Sequence, residues 1–130
     1  MIVLDASAAV DWLLQTSAGL QIEKRIYSGN ETLHSPHLLD LEVAQVLRRL
    51  VREGAISVRR GDEALRDLLA LRVSRYPHFV FLPQIWQLRN SLSAYDAAYV
   101  VLAERLGASL VTRDARLSTA WGHVARVEVF

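Results

Sequence analysis

The residues Ile2-Val3-Leu4-Asp5-Ala6-Ser7 decide the fold. Three consecutive apolar residues, two of them β-branched, read as a short strand buried on both faces, and a carboxylate follows at the strand's carboxyl end. The arrangement recurs near the other end of the chain. There Ser109-Leu110-Val111-Thr112 reads as a strand and Asp114 follows after Arg113. Helical patterns come next in both cases, over residues 6–14 and 114–121, and Asp5 or Ser7 is the candidate cap of the first. Ligands of open parallel sheets sit beyond the carboxyl ends of the strands. Two strands of one such sheet would therefore bring Asp5 and Asp114 to the same edge. Aspartate is also a favoured helix N-cap, which accounts for either residue taken singly.

Between these two strands the pattern alternates. Helices are predicted over residues 21–27, 38–53, 60–72 and 94–106, with a helical turn at Trp86. Strands are predicted over 32–34, stopped by Ser35-Pro36, over 79–82, closed by Pro83, and over 125–129. The helix over 38–53 carries the strongest signal: Leu39, Val43, Val46, Leu47 and Leu50 recur at helical spacing and Gly54 ends it. Short apolar strands alternating with helices imply an α/β fold, one domain over residues 1–130 with a mostly parallel central sheet flanked by helices.

Composition narrows the function classes. Of the 130 residues 52% are apolar, enough for a core without cross-links. There is no cysteine, which excludes disulfides and thiolate metal sites. The net charge of +1 provides no bulk electrostatic attraction for nucleic acid. Lys24 is the only lysine and every other basic residue is arginine. The arginine fork suits phosphate, although a GC-rich genome produces the same bias. The N-terminus lacks the pattern of a signal peptide, and no apolar run approaches the ~20 residues of a membrane span. A soluble, cytoplasmic protein with no membrane contact is expected.

Two further acids stand out. Glu42 lies near the start of an apolar helix with Leu38, Leu39, Gln45 and Val46 as its helical neighbours, so no local ion pair explains it. A solvated glutamate favoured by the helix dipole is the plain alternative. Asp96 has Leu92, Ser93, Tyr99 and Val100 around it. Ser93 with Asp96 resembles a capping box, and the apolar residues that follow place Asp96 near the edge of the core. Unpaired carboxylates gathered at one locus repel, and a hard divalent cation relieves that cost. Acids without thiols or histidines point to Mg²⁺ or Mn²⁺ rather than zinc. The four histidines, His34, His37, His78 and His123, lack the spacing of a helical zinc site and read as loop and surface residues.

Asp5 with Ser7, then Glu42, then Asp96, then Thr112-Arg113-Asp114 resembles the ordered acidic set of PIN domains. The stretches Leu41-Glu42-Val43-Ala44-Gln45-Val46-Leu47-Arg48-Arg49 and Tyr95-Asp96-Ala97-Ala98-Tyr99 are similar to those of VapC toxins. The resemblance implies a PIN-like fold and Mg²⁺- or Mn²⁺-dependent endoribonuclease activity leaving a 5′-phosphate. It implies that Asp5, Glu42, Asp96 and Asp114 are the catalytic, metal-binding quartet, supported by Ser7 and Thr112. It further implies an RNA substrate, a homodimer and neutralisation by a VapB-type antitoxin, for which the apolar helices between Leu38 and Arg72 offer a surface. Some members carry a further acid shortly after the last aspartate. Here Ala115, Arg116 and Leu117 stand there, which puts a second ion in doubt.

Around that core, Arg48, Arg49 and Arg52 are candidate RNA contacts or simply a solvated face. Trp86 and Tyr95 read as core or dimer packing rather than base-stacking residues. Asp40 reads as a helix-start carboxylate, because a two-residue offset from Glu42 points it to another face. Three rivals share the size and the acids: a receiver domain, which needs a late lysine this chain lacks; a phosphatase, which wants an acid where Ser7 stands; and a non-catalytic RNA-binding or interaction module of the same fold.

Overall fold

The computed structural model describes all 130 residues. Five strands, β1 (Ile2–Leu4), β2 (Leu33–Pro36), β3 (Val73–Tyr76), β4 (Ser109–Thr112) and β5 (Arg126–Val129), form one sheet in the order β3-β2-β1-β4-β5. Every pairing is parallel. The order reverses direction between β1 and β4, and a crevice opens at such a switch point. It also differs from the flavodoxin-like order 2-1-3-4-5 of receiver domains, which removes that rival.

The helices are α1 (Ala6–Leu13), α2 (Ser17–Tyr27), α3 (Leu38–Arg52), α4 (Val58–Ala70), α5 (Leu82–Gln87), α6 (Ala94–Leu106) and α7 (Arg116–Thr119). α1 packs on α2, α3 and α4, while α6 lies across β1, β2 and β4 with α5 against it. The β1 residues Ile2, Val3 and Leu4 are fully buried, and every residue from Ala97 to Ala103 of α6 is buried as well. Central strand and central helix are apolar all round because neither has a solvent face. α1 and α2 approach closely at Gly19, where a Cβ would lie 1.9 Å from the Asp11 carbonyl oxygen.

Four expectations need correction. Residues 79–82 are not a strand: His78–Phe81 is a 3₁₀ turn leading into α5, and Pro83 sits in the first turn of that helix. Proline there starts a helix rather than closing a strand. The strand is instead β3, whose residues Val73-Ser74-Arg75-Tyr76 are too polar to stand out, as suits the sheet's edge. Ser35-Pro36 does not stop β2. Its pairing with β1 has ended at His34, so the missing N–H of Pro36 interrupts nothing on that side. Helices α2 and α4 begin earlier than predicted, at Ser17 and Val58, because Thr16 and Ser57 cap them. No helix is long and apolar enough to cross a membrane.

His34 is the fourth correction. It is a buried strand residue, not a surface one, with both ring nitrogens occupied: Thr32 Oγ1 lies 2.8 Å from Nε2 and the Tyr76 hydroxyl 2.8 Å from Nδ1. Desolvation depresses its pKa, with a smaller contribution from the N-terminal ammonium. A depressed imidazole stabilises the fold above its unfolded pKa of about 6.5, and that stability is lost as pH falls through the folded value. The melting temperature should therefore decline on acidification below about pH 6.5. His34→Gln should flatten that part of the profile, as differential scanning fluorimetry across pH will show.

Candidate active site

The pairing of β1 with β4 sets Ile2 beside Ser109, Val3 beside Leu110 and Leu4 beside Val111. The chain leaves both strands at one edge, and two hydroxyls tie the exits together. Ser7 Oγ donates to Asp5 Oδ1 at 2.7 Å and accepts the Arg113 N–H at 2.9 Å. Thr112 Oγ1 donates to Asp5 Oδ2 and accepts the Asp114 N–H at 2.9 Å. Asp5 Oδ1 also accepts the Ala8 N–H at 2.9 Å, so Asp5 caps α1 as well. The capping reading of Asp5 is correct, and the same carboxylate also lines the cavity at this edge.

Asp5 is only 6% exposed. Burial raises its pKa above the usual carboxylate range against the lowering effect of three hydrogen bonds, and the charge of Asp96 adds to the rise. Glu42 lies on the first half of α3. Its pKa is also raised, by burial first and then by Asp96 and Asp5, and is held back by the Tyr99 hydroxyl, which donates to Oε1 at 2.7 Å. Asp96 opens α6. Its N–H is capped by Ser93 Oγ at 3.1 Å. Asp5, Ser7, Glu42, Asp96 and Asp114 all line one open cavity of about 430 Å³, together with Tyr95 and Tyr99.

The acids are not all unpaired, which corrects the reading of four bare carboxylates. Both oxygens of Asp114 are engaged by the Arg116 guanidinium, with Nε 3.0 Å from each, and Arg116 Nη2 lies 3.9 Å from Asp96 Oδ2. Arg116 therefore holds the Asp114 carboxyl below its usual pKa. Asp40 belongs elsewhere: its carboxylate forms a two-point ion pair with Arg75 of β3, at 2.7 and 2.9 Å. Trp86 and Tyr95 are largely exposed rather than core residues, and Arg89 sits over the Trp86 ring at 5.1 Å.

Two site residues escaped the sequence reading. Tyr99 appeared there only within a motif and as a helical neighbour of Asp96. Its signal is one hydroxyl in an aliphatic run three residues after Asp96, since a buried tyrosine must find a partner. Arg116 registered only as a missing acid.

The donor set suits a hard divalent cation. It is all oxygen, it gathers four formal negative charges, and its deep members Asp5 and Glu42 face no cation among the lining residues. No three of the acids stand close enough together to hold one ion between them.

The PIN domain family model matches residues 2–121. The chain belongs to the PIN-domain family. Within it, the chain is 46% identical to ribonuclease VapC9 of Mycobacterium tuberculosis over 118 residues, 91% of this chain and 89% of that protein. It is 42% identical to ribonuclease VapC12 of the same organism over 129 residues, 99% and 98% of the two chains. Among solved structures, PAE2754 from Pyrobaculum aerophilum superposes with a TM-score of 0.69 at 26% identity, covering 97% of this chain and 82% of that one. Mycobacterium tuberculosis VapC20, a sarcin-ricin loop cleaving toxin, superposes at 0.70 over 95% and 97% of the chains. At 17% identity that likeness shows the fold alone.

The Tyr99–Glu42 bond generates a stability test. Tyr99→Phe deletes only the donor and leaves a half-buried carboxylate short of one hydrogen bond, a loss of about 1 kcal/mol at neutral pH. The raised pKa of Glu42 means that the fold disfavours its charged form more than the unfolded chain does. Its unfavourable charged form, and with it the penalty of Tyr99→Phe, should fade as pH falls toward about 4. Urea unfolding of both proteins at the two pH values measures this.

Proposed function

We propose that this PIN-domain protein is a divalent-metal-dependent endoribonuclease, acting as a single nuclease domain, and that it is the toxin of a toxin–antitoxin pair. The observation that carries the reading is the convergence of Asp5, Glu42, Asp96 and Asp114 on one cavity at the sheet's switch point, in a chain 46% identical to a VapC ribonuclease. Four acids drawn from four separate segments have no common structural purpose as helix caps, and Asp5 is buried at a cost that capping alone does not offset.

Asp5, Glu42, Asp96 and Asp114 would hold Mg²⁺, or Mn²⁺ in its place. The ion, when bound, supplies an activated water and neutralises charge on the RNA phosphate. Ser7 and Thr112 fix the Asp5 carboxylate by hydrogen bonds to opposite oxygens, and Tyr99 fixes Glu42, so the chain holds its deepest oxygens in place before any ion arrives. One of these acids would take a proton from the attacking water. Arg48, Arg49 and Arg52 are exposed on the helix that carries Glu42, about 9–15 Å farther along its axis, where they would meet flanking phosphates. Exposed Tyr95 on the cavity wall offers a face for base stacking.

A VapB-type antitoxin is the proposed protein partner. Leu41, Leu65 and Leu69 are exposed on α3 and α4, and Leu41, 78% exposed, also borders the acidic cavity. A helix laid on that surface would cover the cavity mouth. The segment from Phe79 to Trp86 exposes Phe79, Val80, Leu82 and Trp86 and supports a homodimer. The proposed location is the cytoplasm.

Two measurements test these readings. With purified protein and a structured RNA, Asp5→Asn and Asp96→Asn should each lower Mg²⁺-dependent cleavage at least about a hundredfold. Asp40→Asn, which disturbs only the Arg75 pair, should retain activity. Equal losses in all three, or none at Asp5, would overturn the site. In co-expression, the product of a short adjacent reading frame should co-purify with the chain and abolish cleavage. A protein that remains alone and does not arrest growth when active would count against the toxin reading.

A further inference from the structure

We propose that Arg116 is a built-in counter-cation of the acidic cavity: its guanidinium engages Asp114 and reaches Asp96, and it must release Asp114 before that carboxylate can ligate a divalent ion. This inference rests on the reading of the cavity as a divalent-cation site.

The local chain places the guanidinium where it is. Arg116 is the first residue of α7, and its N–H donates to Asp114 Oδ1 at 2.9 Å. That bond fixes the origin of the arginine side chain beside the carboxylate two residues earlier. Nε then lies 3.0 Å from each Asp114 oxygen, and Nη2 donates to Oδ2 while standing 3.9 Å from Asp96 Oδ2. One planar cation thus spans the two acids at the cavity mouth. These acids come from β4's exit and from α6 and have no other contact that would bind them together.

The other cations near this edge are committed. Arg113 is held by Asp11 at 2.6 Å and by the Phe130 carbonyl, and Arg75 is held by Asp40. No basic residue lines the cavity itself. The site is therefore divided. Asp5 and Glu42, in the depth, have hydroxyl donors and no positive charge. Asp114 and Asp96, at the mouth, share the one guanidinium.

The arginine side chain is 80% exposed. An ion pair so open to water is weak and its partner easily exchanged. Arg116 is thus a competitor and not a lock. It screens the charge at the mouth, and an entering ion must displace it. The divalent affinity should be lower than the four acids alone would provide.

The test uses the full chain, stripped with EDTA and titrated with Mn²⁺ while melting temperature is recorded. The unsubstituted protein should show a saturable Mn²⁺-dependent rise. Arg116→Ala should reach half of its rise at roughly threefold to tenfold lower Mn²⁺, since one competing charge is gone. Arg116→Gln, which keeps length and polarity without charge, should follow Arg116→Ala. Arg116→Lys should stay near the unsubstituted protein. A purely structural arginine would lower every melting temperature without moving the Mn²⁺ midpoint, and that result overturns the proposal, as does a midpoint shifted to higher Mn²⁺. The cavity reading fails separately: no Mn²⁺ response in the unsubstituted protein, or an undiminished response in Asp5→Asn, overturns it and this inference with it.

Discussion

A carboxylate removed from water at the end of the central strand is the constraint on which the rest of this structure depends. Asp5 is 6% exposed and carries hydrogen bonds from Ser7, Ala8 and Thr112. An unpartnered charge in that position would cost several kcal/mol. Each partner therefore has a second duty. The Ala8 N–H starts α1, Ser7 reaches the Arg113 backbone, and Thr112 reaches the Asp114 backbone. Satisfying one buried acid thereby locks the exits of β1 and β4 together, and that lock positions Asp114.

Charge is graded across the cavity. Its deep acids are stabilised by neutral donors, and the pKa values of Asp5 and Glu42 are raised chiefly by burial. Its outer acids lean on Arg116, which lowers the pKa of Asp114. Neutral hydroxyls orient a carboxylate without cancelling its charge, so the interior keeps its attraction for a cation. A guanidinium does cancel charge, and it stands where solvent can replace it. The same chain thus keeps electrostatic demand in the interior and relieves it at the surface.

The legible parts of the fold were those whose burial is complete. β1, β4, α3 and α6 announce themselves through unbroken or helically spaced apolar residues, since every side chain on the buried face must be apolar. β3 was missed and residues 79–82 were misread for the same reason in reverse. An edge strand has a solvated side and tolerates Ser74 and Arg75, whereas Phe79 and Val80 are apolar residues that this chain leaves exposed. Local pattern reports hydrophobicity, and hydrophobicity reports burial only where the neighbours are known.

The sequence by itself determined the α/β class, the acids and their order, and the resemblance to the PIN-domain family. Chemistry of that kind is carried by residue type and spacing, both of which are local. The tertiary structure alone decided which acids meet which partners. That Asp40 answers to Arg75, that Tyr99 holds Glu42 and that Asp96 faces Arg116 are contacts across 35, 57 and 20 positions respectively. Such contacts depend on strand order and on the rotation of each helix about its axis. Those are settled by packing of the whole core and leave no mark at the residues they bring together.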